Sequence, residues 1–380
     1  MTNTASTAQQ GTTIFTVMSA LAAECNAINL SQGFPDFPID ADLVKYMADA
    51  VQNGMNQYAP MPGLPALRQA ITQTIGRRYG ISVDADKEIT VTPGATYAIY
   101  TAFTAILQPG DEVIVLEPAY DSYIPNIEAN GAVAIPVPLS LPGFTPDWDR
   151  IAAAVTGKTK AIIVNTPHNP TGVVWTRDDW DQLAALVCDT GIYILSDEVY
   201  EQLVYDGQQH YSVLQHPGLR ERSFALYSFG KVFHNTGWKI GYCIAPPALT
   251  QAFRRLHQFL AFSVNTPAQY ALAQHLSNPA LAPVHTMLQQ KRDYFLQQMQ
   301  DTPFSFLQPA AGSYFQVAGY ERISGLPDME FAQWLTREYG VATIPVSAFY
   351  SSRKDDRLVR FCFAKKEETL EQAAARLRKL

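Results

Sequence analysis

Several stretches of this sequence hold residues whose types and spacing could do chemistry. Lys231 lies in Ser228-Phe229-Gly230-Lys231-Val232-Phe233-His234-Asn235-Thr236-Gly237-Trp238-Lys239, just after a β-rich run at 223–229. A neutral amine held in such a Ser/Gly-framed turn can attack an aldehyde and later carry a proton; taken alone, it also reads as a solvated lysine at a loop tip. Asp197 ends an apolar run in Ser196-Asp197-Glu198-Val199-Tyr200. A carboxylate buried there is costly without a partner, which could be a helix cap, a structural ion pair or a bound cation. Arg360, in Leu358-Val359-Arg360-Phe361-Cys362-Phe363, needs an anion amid apolar neighbours, and its planar fork matches a carboxylate. Pro93-Gly94-Ala95-Thr96 is a small-residue turn opening a helix, where free N–H groups and the positive helix end favour a dianion. Asn169-Pro170-Thr171-Gly172 alone is only a turn signal, but here Thr166-Pro167-His168 and a hydrophobic strand precede it.

The elements that must position these residues follow from periodicity. Short, apolar, β-branched runs predict strands at 27–30, 88–92, 112–116, 132–137, 161–165, 192–196, 224–228 and 242–245. Most of them read as buried on both faces of a sheet. Helical patterns lie at 14–23, 96–107 and 178–189, and Gly33-Phe34-Pro35-Asp36-Phe37-Pro38 must be loop. The alternation predicts an α/β fold with a large doubly wound, mainly parallel sheet. Ligands gather at the carboxyl ends of strands in such sheets. Gly94, Asn169, Asp197 and Lys231 each fall just beyond a predicted strand end, which points to one shared site. Beyond residue 278 the pattern changes to helix 283–299, Gly312-Ser313-Tyr314-Phe315-Gln316-Val317, helix 330–339, strand 358–363 and helix 369–380. The expected organisation is a mobile arm of about a dozen residues within an N-terminal segment 1–44, a large domain 45–278 and a small α+β domain 279–380 that the N-terminal segment joins.

Composition bounds the function. A chain of 380 residues exceeds what one core usually organises, and 47% hydrophobic with 17% charged residues is globular. The net charge of −7 and the lack of a basic stripe argue against nucleic acid as a partner. No apolar run could span a bilayer, and the N-terminus carries no basic residue leading into an apolar core, so neither membrane insertion nor a signal peptide is expected. Four scattered cysteines fit a reduced, cytoplasmic compartment, and the seven histidines show no metal-ligand spacing.

Taken in order, Leu30-Ser31-Gln32-Gly33-Phe34-Pro35-Asp36-Phe37, Asn56-Gln57-Tyr58, Asn169-Pro170-Thr171-Gly172, Asp197-Glu198-Val199-Tyr200, the Lys231 segment and Arg360-Phe361-Cys362-Phe363 resemble the fold-type-I, class I aminotransferases, which use pyridoxal 5′-phosphate (PLP). The likeness covers nearly the whole chain. It is similar to the branch of methionine aminotransferases and kynurenine aminotransferase/glutamine transaminase K. His257-Gln258, Phe262-Ser263-Val264-Asn265-Thr266-Pro267 and Ile344-Pro345-Val346-Ser347 resemble its bacterial methionine-preferring members most.

The resemblance implies a seven-stranded central sheet and a role for each candidate. Lys231 would bind the cofactor aldehyde, Asp197 its ring nitrogen, and Tyr200 and Asn169 its phenolate oxygen. Gly94, Ala95, Thr96, Ser228 and Lys239 would cradle the phosphate, although position 239 is most often arginine in the family and Tyr97 stands where many relatives carry glutamate. Tyr120 would cover the ring. Arg360 would clamp the substrate carboxylate with Gly33 close by. Phe15 and Tyr123 are further pocket candidates. A homodimer with shared active sites is implied, in which Tyr58 reaches the phosphate and Phe262 the pocket of the partner. No second arginine is evident for a side-chain carboxylate. The expected activity is ping-pong transamination between a 2-oxo acid and an apolar or aromatic L-amino acid. Methionine is favoured over phenylalanine, tyrosine, histidine, leucine, kynurenine or glutamine as the donor. A cysteine-conjugate C–S β-lyase is the enzymatic rival. A ligand-sensing regulator is the non-enzymatic one, and such proteins usually carry a DNA-binding extension.

Overall fold

The computed structural model describes residues 12–279, 281 and 283–380; residues 1–11 of the predicted arm lie outside the described residues. Among the described residues there are twelve strands: β1 Ile28–Asn29, β2 Ile89–Thr92, β3 Glu112–Glu117, β4 Val133–Pro138, β5 Thr159–Asn165, β6 Tyr193–Asp197, β7 Ser223–Ser228, β8 Gly241–Ile244, β9 Phe315–Gly319, β10 Val341–Ala342, β11 Ile344–Pro345 and β12 Leu358–Cys362. Seven of them form one sheet in the order β2-β8-β7-β6-β5-β3-β4. It is mainly parallel, as expected, with β8 antiparallel to both of its neighbours.

The period of two along these strands builds two cores. Ile114, Ile162, Val164, Ile194 and Ala225 pack on one face with Trp180 and Leu183. Val113, Val115, Ala161, Ile163, Leu195, Phe224 and Leu226 pack on the other with Phe103 and Phe253. Helix Ala95–Ile106 belongs to the second face and helix Arg177–Val187 to the first. A sheet covered in this way buries both faces of its central strands, hence their near-continuous hydrophobic runs. Strand β4 departs from that reading. It lies at one edge, Val133 is exposed, and Pro136 and Pro138 fit there because an edge strand has a side with no ladder bond to lose.

The C-terminal part forms the antiparallel sheet β11-β12-β9. Helices Val284–Met299, Asp328–Tyr339 and Glu367–Leu377 share its core with Leu30, Tyr314, Phe315 and Phe361. Val199, Tyr200 and Leu203, in the loop after β6, also pack in this core. The segment that begins two residues beyond Asp197 is thus tied to the second sheet, and the charged end of β6 is held between the two layers.

Candidate active site

At the carboxyl ends of β5, β6 and β7 the two layers enclose a cavity of about 310 Å³, at the lower end of the range usual for small-molecule sites. Its lining joins Phe15, Gln32, Gly33, the turn Gly94–Thr96, Tyr120 and Asn169 to Asp197, Tyr200, Ser228, Lys231, Lys239 and Arg360. Of the residues singled out in the sequence, Tyr58, Phe262 and Tyr123 do not line it.

Lys231 sits in the single helical turn Phe229–Val232 that follows β7. Its Nζ donates to the carbonyl of Gly33 at 3.4 Å and lies 5.9 Å from the ring centroids of both Tyr200 and Tyr314. Burial lowers the amine from its ordinary value to about 8, so the uncharged form, though a minority at neutral pH, is far more populated than for a solvated lysine. The loop that meets it is pinned from several sides. Tyr314 Oη donates to Gly33 O at 2.7 Å, and Lys365 Nζ donates to Phe34 O at 2.8 Å. Gln32 Nε2 donates to Phe15 O at 2.9 Å and to Ser19 Oγ. Gly33 must be small: a Cβ there would come 2.7 Å from Phe315 Cζ.

Asp197 is the last residue of β6 and is buried. Its Oδ2 accepts from Tyr123 Oη at 2.6 Å and its Oδ1 from the Val199 amide at 3.3 Å. No ion pair involving it occurs among the described residues. Burial therefore dominates and raises its carboxyl to about 6. A buried carboxylate with hydrogen bonds and only the more distant Lys231 charge, without an ion-pair contact, suits a cation brought from outside the chain. Tyr200, three residues on, is pushed far up by burial and stays a phenol, able to donate.

Arg360, in the middle of β12, is 1% exposed. Nη1 donates to Asn169 Oδ1 and Nη2 to Ser31 O, both at 2.7 Å, while Nε is buried with no partner. Its guanidinium lies 3.8 Å from the centroid of the Phe315 ring, 5.2 Å from Phe349 and 5.3 Å from Phe15. Burial lowers it only to about 10, so it remains a cation. Asn169 spends its Oδ1 on Arg360, which leaves its NH2 as the group available to the cavity. Its own backbone N–H is held by Asn165 Oδ1 at 2.8 Å, and Asn165 Nδ2 donates to Asp197 O at 2.8 Å. Asn165, Gln32 and Phe315 are site residues that the sequence reading passed over. Asn165 could have been found as the polar last residue of a buried strand, four positions before Asn169.

Gly94 caps helix Ala95–Ile106 at φ 84 with no side-chain cap bond, so the first N–H groups have no cap acceptor. A Cβ at Gly94 would stand 3.4 Å from Lys239 Nζ and fill the concavity between them. Thr96 Oγ1 lies 3.5 Å from Tyr120 Oη. Helix end, lysine, Ser228 hydroxyl and Thr96 make a donor set for a phosphate. With the unpaired Asp197 carboxylate and the unpaired Arg360 Nε–H, these residues fit PLP and a substrate carboxylate.

Tyr123 is buried behind Asp197 rather than facing the cavity, which differs from its expected place in the pocket. Tyr58 is 82% exposed and Phe262 51%, and their rings meet edge-on at 5.5 Å on the surface of the single chain.

The family model for aminotransferase class I and II matches residues 26–377. The chain is 49% identical over 377 residues to the methionine aminotransferase of Escherichia coli strain K12, covering 98% of this chain and 97% of that one. Against kynurenine–oxoglutarate transaminase 1 of Mus musculus it is 35% identical over 393 residues, covering 94% and 92%. A crystal structure from Escherichia coli identified with a methionine aminotransferase function aligns over 100% of both chains with a TM-score of 0.96 at 48% identity. Because the family match runs through both sheets and every loop that brings a charge into the cavity, the chain belongs to the class I and II aminotransferases.

Proposed function

We propose that the cavity binds PLP and that the enzyme transfers the amino group of an apolar or aromatic L-amino acid, methionine foremost, to a 2-oxo acid. The observation that carries this reading is the convergence of a depressed lysine, an unpaired buried aspartate and an arginine with a free donor on one cavity. Bound there, PLP supplies an aldehyde for the amine and a ring that takes up the electron pair left at Cα.

The rest falls to the chain. The Asp197 carboxylate holds the ring nitrogen in its protonated form, while Tyr200 and the Asn169 amide donate to the ring oxygen. Gly94, Ala95, Thr96, Ser228 and Lys239 hold the phosphate, the last as a point charge rather than a fork. Tyr120 covers the ring. Arg360 fixes the substrate carboxylate and with it the orientation of the Cα–H bond. Lys231 Nζ, uncharged in part near neutrality, takes the proton from Cα. Phe15 and Phe315 make the wall around Arg360 apolar. Arg360 is the sole arginine among the described residues lining the cavity, which disfavours a donor with a second carboxylate.

Tyr58 and Phe262 fit a homodimer in which the partner subunit's Tyr58 completes the phosphate site and the partner subunit's Phe262 the substrate wall. Segment 1–44 and residues 279–380 would make the smaller of two domains. A cytoplasmic location agrees with four cysteines that are all free. Among the described residues, no helix is long and apolar enough to cross a membrane.

Product analysis with L-methionine and a series of 2-oxo acids tests this reading. Formation of the 2-oxo acid of methionine in step with amination of the acceptor supports it. Pyruvate and ammonia released from cysteine conjugates, with no acceptor consumed, would instead make the enzyme a C–S β-lyase.

A further inference from the structure

Tyr120 and Tyr123 stand three residues apart in Glu117-Pro118-Ala119-Tyr120-Asp121-Ser122-Tyr123, yet they do different work. Tyr120 lines the cavity. Tyr123, the first residue of the short helix Tyr123–Glu128, is 2% exposed and turns its phenol towards the end of β6. The two rings meet edge to face at 5.7 Å and 83°, so the ring at the cavity wall rests on the one behind it. The ring of Tyr123 is packed in the core of the second sheet face with Ile127 and Ala119. Its only polar atom reaches Asp197 Oδ2 at 2.6 Å, a short bond of the charge-assisted kind.

We propose that Tyr123 is a positioning residue for the cofactor ring: its O–H fixes the Asp197 carboxylate, in ionised form and in one orientation, for the ring nitrogen. The inference rests on the reading of Asp197 given above and adds the group through which the chain controls it. Among the described residues the Asp197 carboxylate has one side-chain donor, Tyr123, and one weaker backbone donor, Val199. The titratable groups facing it are Lys231 from the turn after β7, Tyr120, Tyr200 and its neighbour Glu198; Lys231 favours the charged form and Glu198 opposes it. Tyr123 itself is pushed well above the ordinary phenol value, by burial first and then by the Asp197 charge, so it donates throughout the working pH range. Without that donor the protonated form of Asp197 gains relative to the ionised form. A neutral carboxylic acid would no longer hold a protonated ring nitrogen as an ion pair.

The test is cofactor binding to the apoprotein, read by the visible band of the bound cofactor, for the wild type, Tyr123→Phe, Asp197→Asn and the double variant. Phenylalanine keeps the ring packing and removes only the hydroxyl. Loss of one hydrogen bond to a charged group predicts a dissociation constant raised about tenfold to a hundredfold in Tyr123→Phe. Cofactor release on acidification should also begin at a higher pH than in the wild type. In the Asp197→Asn background, removing the Tyr123 hydroxyl should add little, because both act on the same contact. A Tyr123→Phe variant with wild-type affinity and an unshifted acid release profile overturns the proposal while leaving the role of Asp197 standing. Wild-type affinity in Asp197→Asn overturns both. Full additivity in the double variant assigns Tyr123 a merely structural role and also overturns the proposal.

Discussion

The guanidinium of Arg360 and the side-chain amide of Asn169 are joined at 2.7 Å, Nη1 to Oδ1, across 191 residues of sequence. The bond links strand β12 to the loop after β5, so the proposed clamp for a substrate carboxylate and the proposed donor for the cofactor oxygen share one contact. The same guanidinium lies over the Phe315 ring, 3.8 Å from its centroid, and keeps Nε unpaired. An arginine fixed on three sides is pre-organised for an anion on the fourth.

Replacing Arg360 by lysine keeps the charge and removes the fork. One ammonium lacks the fixed planar fork that holds Asn169 Oδ1 and Ser31 O through two nitrogens and leaves a third N–H free. KM for amino-acid donors should rise about tenfold to a hundredfold, while affinity for a donor analogue lacking the carboxylate stays within about twofold of the wild type. Steady-state kinetics with both ligands check this, and an equal loss for both would mean that Arg360 acts only on the architecture.

Gly33→Ala tests the same clamp from the other side. The added Cβ would come 2.7 Å from Phe315 Cζ, in a packed core where the ring has little freedom to retreat. Phe315 is the ring stacked on Arg360, so the carboxylate clamp shifts with it. A donor KM raised about tenfold with a largely preserved melting temperature is expected; unchanged KM would show that the loop yields instead.

The pH dependence of cofactor capture follows from Lys231. Burial lowers its amine to about 8, and only the uncharged amine is nucleophilic. The rate at which apoprotein gains its visible band should therefore climb as pH rises and level off above about pH 8. Stopped-flow mixing across that range measures it. A rate still climbing through the ordinary lysine value would mean that the amine is not desolvated.

Shared sites are tested by hybrids. Tyr58→Ala should empty the phosphate site of the other subunit, and Lys231→Ala should silence its own. On the proposed shared-site arrangement both homodimers should be inactive at limiting cofactor, but a hybrid would contain one site built from the wild-type residues of each. Refolding the two variants together should restore activity to about a quarter of the wild-type value by random pairing. No recovery would remove Tyr58 from the partner's site.

Much of the fold was legible because the central strands are buried on both faces and bounded by turns. Every strand of the main sheet was expected within two residues of its ends, and the long-range convergence of Lys231, Asp197, Asn169 and Gly94 followed from strand ends alone. Residues whose role depends on three-dimensional neighbours were less legible. Phe315 reads as one more aromatic in a strand until Arg360 is seen lying on it. Tyr123 and Tyr120 share one short motif, and only the turn into helix Tyr123–Glu128 decides which ring faces the cavity. Tyr58 and Phe262 lie exposed on the single chain, so the proposed role of each depends on a partner subunit. The edge position of β4 could be read only weakly, from its two prolines.

The most direct test of the central claim is the visible absorption spectrum of the purified protein before and after L-methionine is added without any 2-oxo acid. A visible cofactor band in the wild type that gives way to near-ultraviolet absorption on adding methionine, and that is absent from Lys231→Ala, is the predicted result. A wild-type protein that shows no such band even after PLP is supplied would contradict the account.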